Sequence, residues 1–234
     1  MIKRLDWDSN FFGYEIGKIV VGPKNKFRIG ALKDNNYKLI YVFSEEPIEI
    51  NQLILVDIKV GFHKWINEDK KGFAFKNRCE PFNLCKHDLN KLENLAIESG
   101  KYSRFKLDSN FQKNEFERLY LEWIYQSYQK KMALEVLVYS VDEVLAGFIT
   151  ITNKSETLTD IGLVAVDPKF QGKGIGGVLV EAAEKYSFVN GYKEIQVVTQ
   201  EDNKNALKLY QKNGFDLCNK TYIYHYWRNS INKL

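Results

Sequence analysis

The stretch VAVDPKFQGKGIGGVLVEAAEKY, Val164 to Tyr186, restricts the fold of this chain more than any other. It begins as an apolar, β-branched run that reads as a buried strand ending at Asp167-Pro168. Gly172, Gly174, Gly176 and Gly177 follow in a short loop. Ile175, Val178, Leu179, Ala182, Ala183 and Tyr186 then recur at i, i+3, i+4, i+7, i+8 and i+11, the apolar stripe of a helix that stops at Asn190-Gly191. A buried strand turning through glycines into a one-sided helix is an α/β arrangement. It places free backbone amides and the positive end of a helix dipole at one point. Glycines take positive φ and leave room for close approach, so successive amides there can curl around a phosphate. A turn that only lets a strand reach a helix has the same local sequence.

Two common phosphate loops do not fit. GKGIGG lacks the GxxxxGK[ST] pattern, and the four glycines lie at the wrong offsets for GxGxxG. The spacing that does fit is QxxGxG, carried by Gln171, Gly174 and Gly176. One helix and one strand later, NKNALKLYQKNGF carries NxxAxxxYxxxGF with Asn203, Ala206, Tyr210, Gly214 and Phe215. The two motifs in this order resemble the GCN5-related N-acetyltransferases (GNAT), over roughly Gly100 to Arg228, a single-domain length. The resemblance implies an α/β (α+β) fold with a mixed, mostly antiparallel, twisted sheet flanked by helices and splayed between the family's fourth and fifth strands to admit acetyl-CoA. It implies acetyl-CoA contacts at Leu163, Val164, Ala165, Val166, Gln171, Gly172, Lys173, Gly174, Ile175, Gly176, Gly177 and Asn203. In the resembled family pantetheine lies along the fourth strand like an added strand, and Val164 and Val166 are the matching positions. Transfer is expected to be direct, because none of Cys79, Cys85 and Cys218 falls in either motif.

Tyr210 is the proton-donor candidate. It lies seven residues after Asn203, two helical turns, so both project from nearly the same helix face. A phenol of pKa about 10 giving a proton to a thiolate of about 8.5 works mildly uphill, so positioning must do the work. Tyr210 could equally pack beside Leu207, and Asn203 could serve only as an N-cap. Glu45, Glu46, Asp57, Glu68 and His87 are general-base candidates that the sequence does not separate.

The first hundred residues lack a linker rich in Pro or Ser. YEIGKIVV, YKLIYVFS and LILVDIKVGF read as strands, and HDLNKLENLAIESG as a helix ending at Gly100. The expected division is a smaller α/β N-terminal domain over residues 1–100, carrying acceptor specificity, and an acetyltransferase domain over 101–234. In the second part NEFERLYLEWIYQSYQKK reads as a long helix. LEVLVYS and EVLAGFITIT form a hairpin turning at Val141-Asp142, EIQVVT is a strand, and KTYIYHYW is a last aromatic strand.

The acceptor is read from the N-terminal side. Trp7, Asp8, Ser9, Phe11, Phe12 and Gly13, with Ser103, Arg104 and Phe105, are similar to segments of the TDP-4-amino-sugar N-acetyltransferases. A nucleotide sugar needs an aromatic face for its base and a cation for its diphosphate, which Trp7, Phe11, Phe12 and Arg104 could supply. The same aromatics could be core, and Arg104 could pair with a local carboxylate. The resemblance therefore implies an aminosugar acceptor; a protein N-terminus, a lysine or a small amine is the rival within the family, and an acyl-CoA-binding sensor the rival outside it.

Composition narrows the partners further. With 34 Lys and Arg against 30 Asp and Glu, the net charge is +4 and the cations are scattered, which argues against nucleic acid. The spacing of the three Cys and three His fits no metal pattern, so no metal is expected. No run approaches a membrane span and the first residues lack the apolar core of a signal peptide, so a cytoplasmic protein is expected, with homodimer formation left open.

Overall fold

The computed structural model describes residues 1–22, 29–33, 35–66, 79–112 and 114–228. In chain order its elements are β1 (Lys3–Arg4), α1 (Asp6–Phe12), β2 (Ile16–Val21), α2 (Gly30–Lys33), β3 (Leu39–Ser44) and β4 (Ile54–Trp65). Then come β5 (Cys79–Pro81), α3 (Leu89–Ser99), α4 (Arg104–Leu107), α5 (Glu115–Tyr128), β6 (Glu135–Val141), β7 (Val144–Asn153) and β8 (Leu158–Val166). The chain closes with α6 (Ile175–Val189), β9 (Glu194–Gln200), α7 (Lys204–Lys212) and β10 (Asp216–Trp227). The ten strands form one sheet in the order β1-β2-β3-β10-β4-β9-β8-β7-β6-β5. Only the pairs β2–β3 and β8–β9 are parallel among the described residues, so the sheet is mixed and mostly antiparallel. Strands from both sides of the expected boundary at Gly100 share it: β10 lies between β3 and β4, and β4 pairs with β9.

Helices cover both faces, which is why β3 is an unbroken apolar run in which Leu39 to Val42 are all buried. On one face Leu179, Val180 and Ala183 of α6 pack with Val60, Phe62, Ile161 and Val197. Full burial of such side chains contributes roughly 1.5–3 kcal/mol each. On the other face Leu92 and Leu95 of α3 and Ile124 of α5 cover Val138 and Phe148, while Phe105, Phe116 and Leu119 cover Leu39, Tyr41 and Trp227.

Two boundaries differ from expectation. The β6–β7 turn is Asp142-Glu143, at φ 48° and 65°, rather than Val141-Asp142. Two successive left-handed residues match the strand twist, and Val141 stays in the ladder opposite Val144. β10 begins at Asp216, four residues before Lys220, because pairing with β4 carries polar residues into the strand and includes an irregularity between Leu217 and Asn219.

Candidate active site

The site begins where two strands part. β8 and β9 run parallel and pair only from Leu158↔Glu194 to Ile161↔Val197. Beyond them lies a cleft of about 520 Å³ whose walls include Val164, Val166, Val198, Gln200 and Tyr210. β8 carries a bulge at the parting point: Ile149 faces Val164 and Ile151 faces Ile161, leaving Gly162 and Leu163 opposite Thr150 alone. Thr150 Oγ1 accepts from the Leu163 N–H at 2.7 Å. A Cβ on Gly162 would stand 2.8 Å from that oxygen, so the bulge requires glycine there. Asp167 N–H donates to Ala146 O at 2.8 Å. Because donors alternate along an antiparallel strand, Ala165 and Asp167 turn toward β7, and the N–H groups of Val164 and Val166 turn toward the cleft.

The loop beyond β8 is held by its own polar groups. Asp167 accepts from the Lys169 N–H at 2.7 Å, starting a single 3₁₀ turn over Pro168–Phe170. Lys91 of α3 pairs with the same carboxylate. Gln171 Nε2 donates to Val166 O at 3.0 Å, so this side chain fastens the loop to the strand end. Gly172 and Gly174 sit at φ 76° and 79° with open space where a Cβ would be. Gly174 is the N-cap of α6, whose first-turn amides at Ile175, Gly176 and Gly177 have no partner within the helix. The Lys173 side chain is exposed, its Nζ 5.3 Å from the Phe170 ring centroid, and it does not line the cleft. Gly172, Gly174, Ile175, Gly176 and Gly177 do, as do Leu163 and Ala165.

α7 closes the far wall. Asn203 caps it, its Oδ1 accepting from the Ala206 N–H at 3.2 Å, and also faces the cleft. Tyr210 is 2% exposed, its ring 5.8 Å from Phe62 and 6.0 Å from Phe215. Burial, reinforced by Asp160, pushes its phenol well above the ordinary tyrosine range, so the group keeps its proton at neutral pH.

The residues expected to meet an acceptor separate. Phe12, expected to offer an aromatic face, is instead a core side chain 5.9 Å from Phe105 and 5.3 Å from Phe111. Trp7 is exposed and stacked on Phe11 at 5.0 Å, with the Arg118 guanidinium 5.1 Å from Phe11. Neither ring lines the cleft. Arg104 lies over the sheet, its guanidinium 4.5 Å from the ring centroids of both Tyr41 and Phe105. Beneath it a buried knot fixes β10: Asp108 Oδ2 accepts from His225 Nδ1 at 2.5 Å and from Trp227 Nε1 at 2.8 Å. Burial lowers His225 to about 4, partly opposed by Asp108; burial alone would raise Asp108, but hydrogen bonds from His225, Asn110 and Trp227 hold it at about 2. At neutral pH the pair is therefore carboxylate and neutral imidazole.

Among the general-base candidates, Glu45 and Glu46 are exposed beyond β3, and Glu68 lies outside the described residues. His87 accepts from the Asn83 N–H and faces Glu80. Asp57 stands apart: burial, only partly opposed by Arg104 and Lys59, raises it to about 6, and its buried Oδ1 has no protein partner among the described residues. Lys59 beside it was not expected from the sequence. The available signal was DIK within LILVDIKVGF, two charges at same-face positions of an otherwise apolar strand. No group of three or more potential metal ligands occurs among the described residues, and none of their helices is long and apolar enough to cross a membrane.

A strand that leaves its parallel neighbour beside a glycine-capped helix defines the class of protein. The profile of the Acetyltransferase (GNAT) family matches residues 89–215, and the chain belongs to that family. It is 26% identical over 133 residues to the spore coat polysaccharide biosynthesis protein SpsD of Bacillus subtilis, an alignment covering 57% of this chain and 45% of SpsD. The chain thus spans less than half of SpsD. Among solved structures, a functionally unknown conserved protein from Staphylococcus epidermidis superposes with a TM-score of 0.63 at 14% identity, over 92% of this chain and 84% of that one. An acetyltransferase of the GNAT family from Colwellia psychrerythraea gives 0.53 at 12% identity, over 85% and 69%. At these identities the likeness is one of fold.

Proposed function

We propose that this protein transfers an acetyl group from acetyl-CoA to the amine of a TDP-linked deoxy-aminosugar. The observation that carries the reading is the cleft between β8 and β9, bounded by the glycine-capped start of α6 and by Tyr210. Acetyl-CoA would supply an activated acetyl thioester. Gly172, Gly174 and the first-turn amides of α6 suit its pyrophosphate, because positive φ at both glycines leaves the cradle free of Cβ atoms. The Val164 and Val166 amides would bind pantetheine and steady the carbonyl oxygen as it gains charge. Tyr210, kept protonated by burial, would give its proton to the departing thiolate. Asp57, near 6, would be ionised at neutral pH and able to take the proton from an ammonium acceptor. SpsD's name ties that protein to spore coat polysaccharide biosynthesis, which supports a sugar-linked amine.

The test is thiol release from acetyl-CoA against a panel of TDP-aminosugars, peptides and polyamines. The expected result is the highest kcat/KM with a TDP-aminosugar. Faster release with a peptide or polyamine overturns the acceptor, and no release with any amine despite cofactor binding overturns the enzyme.

A further inference from the structure

A second cationic site lies on the sheet face opposite α6. Register puts Lys18 of β2 beside Tyr41 of β3, and Phe43 across β10 from Asp57, with Lys59 two residues further along β4 on the same side. Lys18 Nζ lies 4.1 Å from the Phe43 ring centroid and the Arg104 guanidinium 5.8 Å from it, so two cations flank one ring. Lys154, exposed in the turn after β7, shares their field, since Lys18 and Lys59 each feel both its charge and that of Arg104. No carboxylate stands at ion-pair distance from any of the four among the described residues, although Asp8, Asp57 and Asp160 are close by. Arg104 Nε, Asp57 Oδ1 and the hydroxyl of Tyr41, a residue 1% exposed, are buried without a protein hydrogen bond of normal length, and the Tyr41 hydroxyl lies close to Asp8 and Arg104.

We propose that Lys18, Lys59, Arg104 and Lys154, with the Tyr41 hydroxyl, bind the phosphate ester of the acceptor amine, at a site separate from the glycine loop. The word acceptor rests on the acetyltransferase reading; the anion site does not. Unpaired, half-buried cations hold positive charge at a desolvation cost that an anion relieves. Burial, then Arg104, pushes both Lys18 and Lys59 below the ordinary lysine range, only partly opposed by Asp8 at Lys18 and by Asp160 at Lys59. Four cations from four separate elements outnumber the three carboxylates nearby among the described residues, Asp8, Asp57 and Asp160, none of them at ion-pair distance. The cations suit a phosphate or diphosphate, which a guanidinium fork can grip in two places.

Calorimetry on the full chain saturated with CoA, so that the glycine loop is filled, tests this with inorganic pyrophosphate and with TDP. Pyrophosphate should bind, and Lys18→Gln/Lys59→Gln should weaken it at least tenfold. The exposed Lys154→Gln, which carries no folding risk, should weaken it about threefold. The same charge change at the exposed Lys131 (Lys131→Gln) and the affinity for CoA should stay within twofold. TDP binding tenfold tighter than pyrophosphate identifies a nucleotide diphosphate; equal affinities identify a smaller phosphate ester. In turnover the double variant should raise KM for phosphate-bearing amines tenfold and leave KM for phosphate-free amines alone. Unaltered pyrophosphate heat in the double variant, or binding abolished by CoA, overturns the site. Absence of turnover with every amine would overturn the enzymatic reading while the calorimetry still decides the anion site.

Discussion

The glycine loop and the cationic basin are built in opposite ways, and under the proposed function both would meet a phosphate. The loop uses contiguous residues and peptide N–H groups, with side chains turned to anchoring: Gln171 ties back to Val166, and Asp167 to Lys169 and Lys91. The basin uses side chains alone, drawn from β2, β4, α4 and the turn after β7. A backbone site demands only that side chains be absent, so it tolerates change in chemistry and none in shape. A side-chain site has the reverse tolerance, which would let one fold keep a donor and vary the acceptor.

The sharpest way to break that contrast is to put a side chain where the loop has none. Gly174→Val adds a β-branched residue at φ 79° and fills the open space of the cradle. Left-handed strain costs about 1–2 kcal/mol, and losing one charge-assisted amide contact costs about 1.5–3 kcal/mol. Acetyl-CoA affinity should fall roughly a thousandfold, while pyrophosphate binding in the basin is retained. Titration calorimetry checks both; equal loss at the two sites would mean that they are one.

This difference also explains what the sequence disclosed. Gln171, Gly174, Gly176, Asn203 and Tyr210 stand at fixed short spacings, so strand, loop, cap and helix could be read in order. Asp57 was legible only as one of five unseparated general-base candidates and Lys59 as a second charge in the same apolar strand, because their setting depends on β10 returning from the chain's far end to lie between β3 and β4. Trp7, Phe11 and Phe12 were legible as an aromatic cluster. Their separation was not, since it depends on α1 turning Phe12 into the core and leaving Trp7 outside. The β6–β7 turn was misplaced by one residue because Asp142-Glu143 adopts left-handed geometry without the glycine that usually signals it.

A smaller effect, with a characteristic pH signature, is expected on the acceptor side. Asp57 sits near 6, with burial as the main cause and Arg104, Lys59 and Asp202 as the charges facing it. If it takes the amine's proton, kcat/KM should rise with pH up to about 6 and level off above. Asp57→Asn should remove that limb and lower the plateau about a hundredfold. Stability should move the other way. A carboxyl raised in the folded state binds its proton more tightly there than in the unfolded chain, so folding weakens as pH rises from about 4 to 6 and stays weakened above. Denaturant unfolding at pH 7 should therefore find Asp57→Asn more stable than the parent by roughly 2 kcal/mol, and no different at pH 3. Lost activity without that gain would assign Asp57 a packing role.

Tyr210 lines the cleft between β8 and β9 and should give the smallest effect. Its ring packs on Phe62 and Phe215, and phenylalanine keeps those contacts, so stability should change by less than about 1 kcal/mol. Burial holds the phenol protonated but also makes it a weaker acid than the thiol it would serve. The hydroxyl can therefore contribute only by being in place when charge develops on sulfur, and water entering the cleft could replace part of that. Tyr210→Phe should lower kcat about tenfold, leaving the affinity for acetyl-CoA and the KM for the acceptor unchanged. A fall in cofactor affinity instead would make Tyr210 part of the loop's binding surface, and no change in either would leave it as a core aromatic that happens to border the cleft.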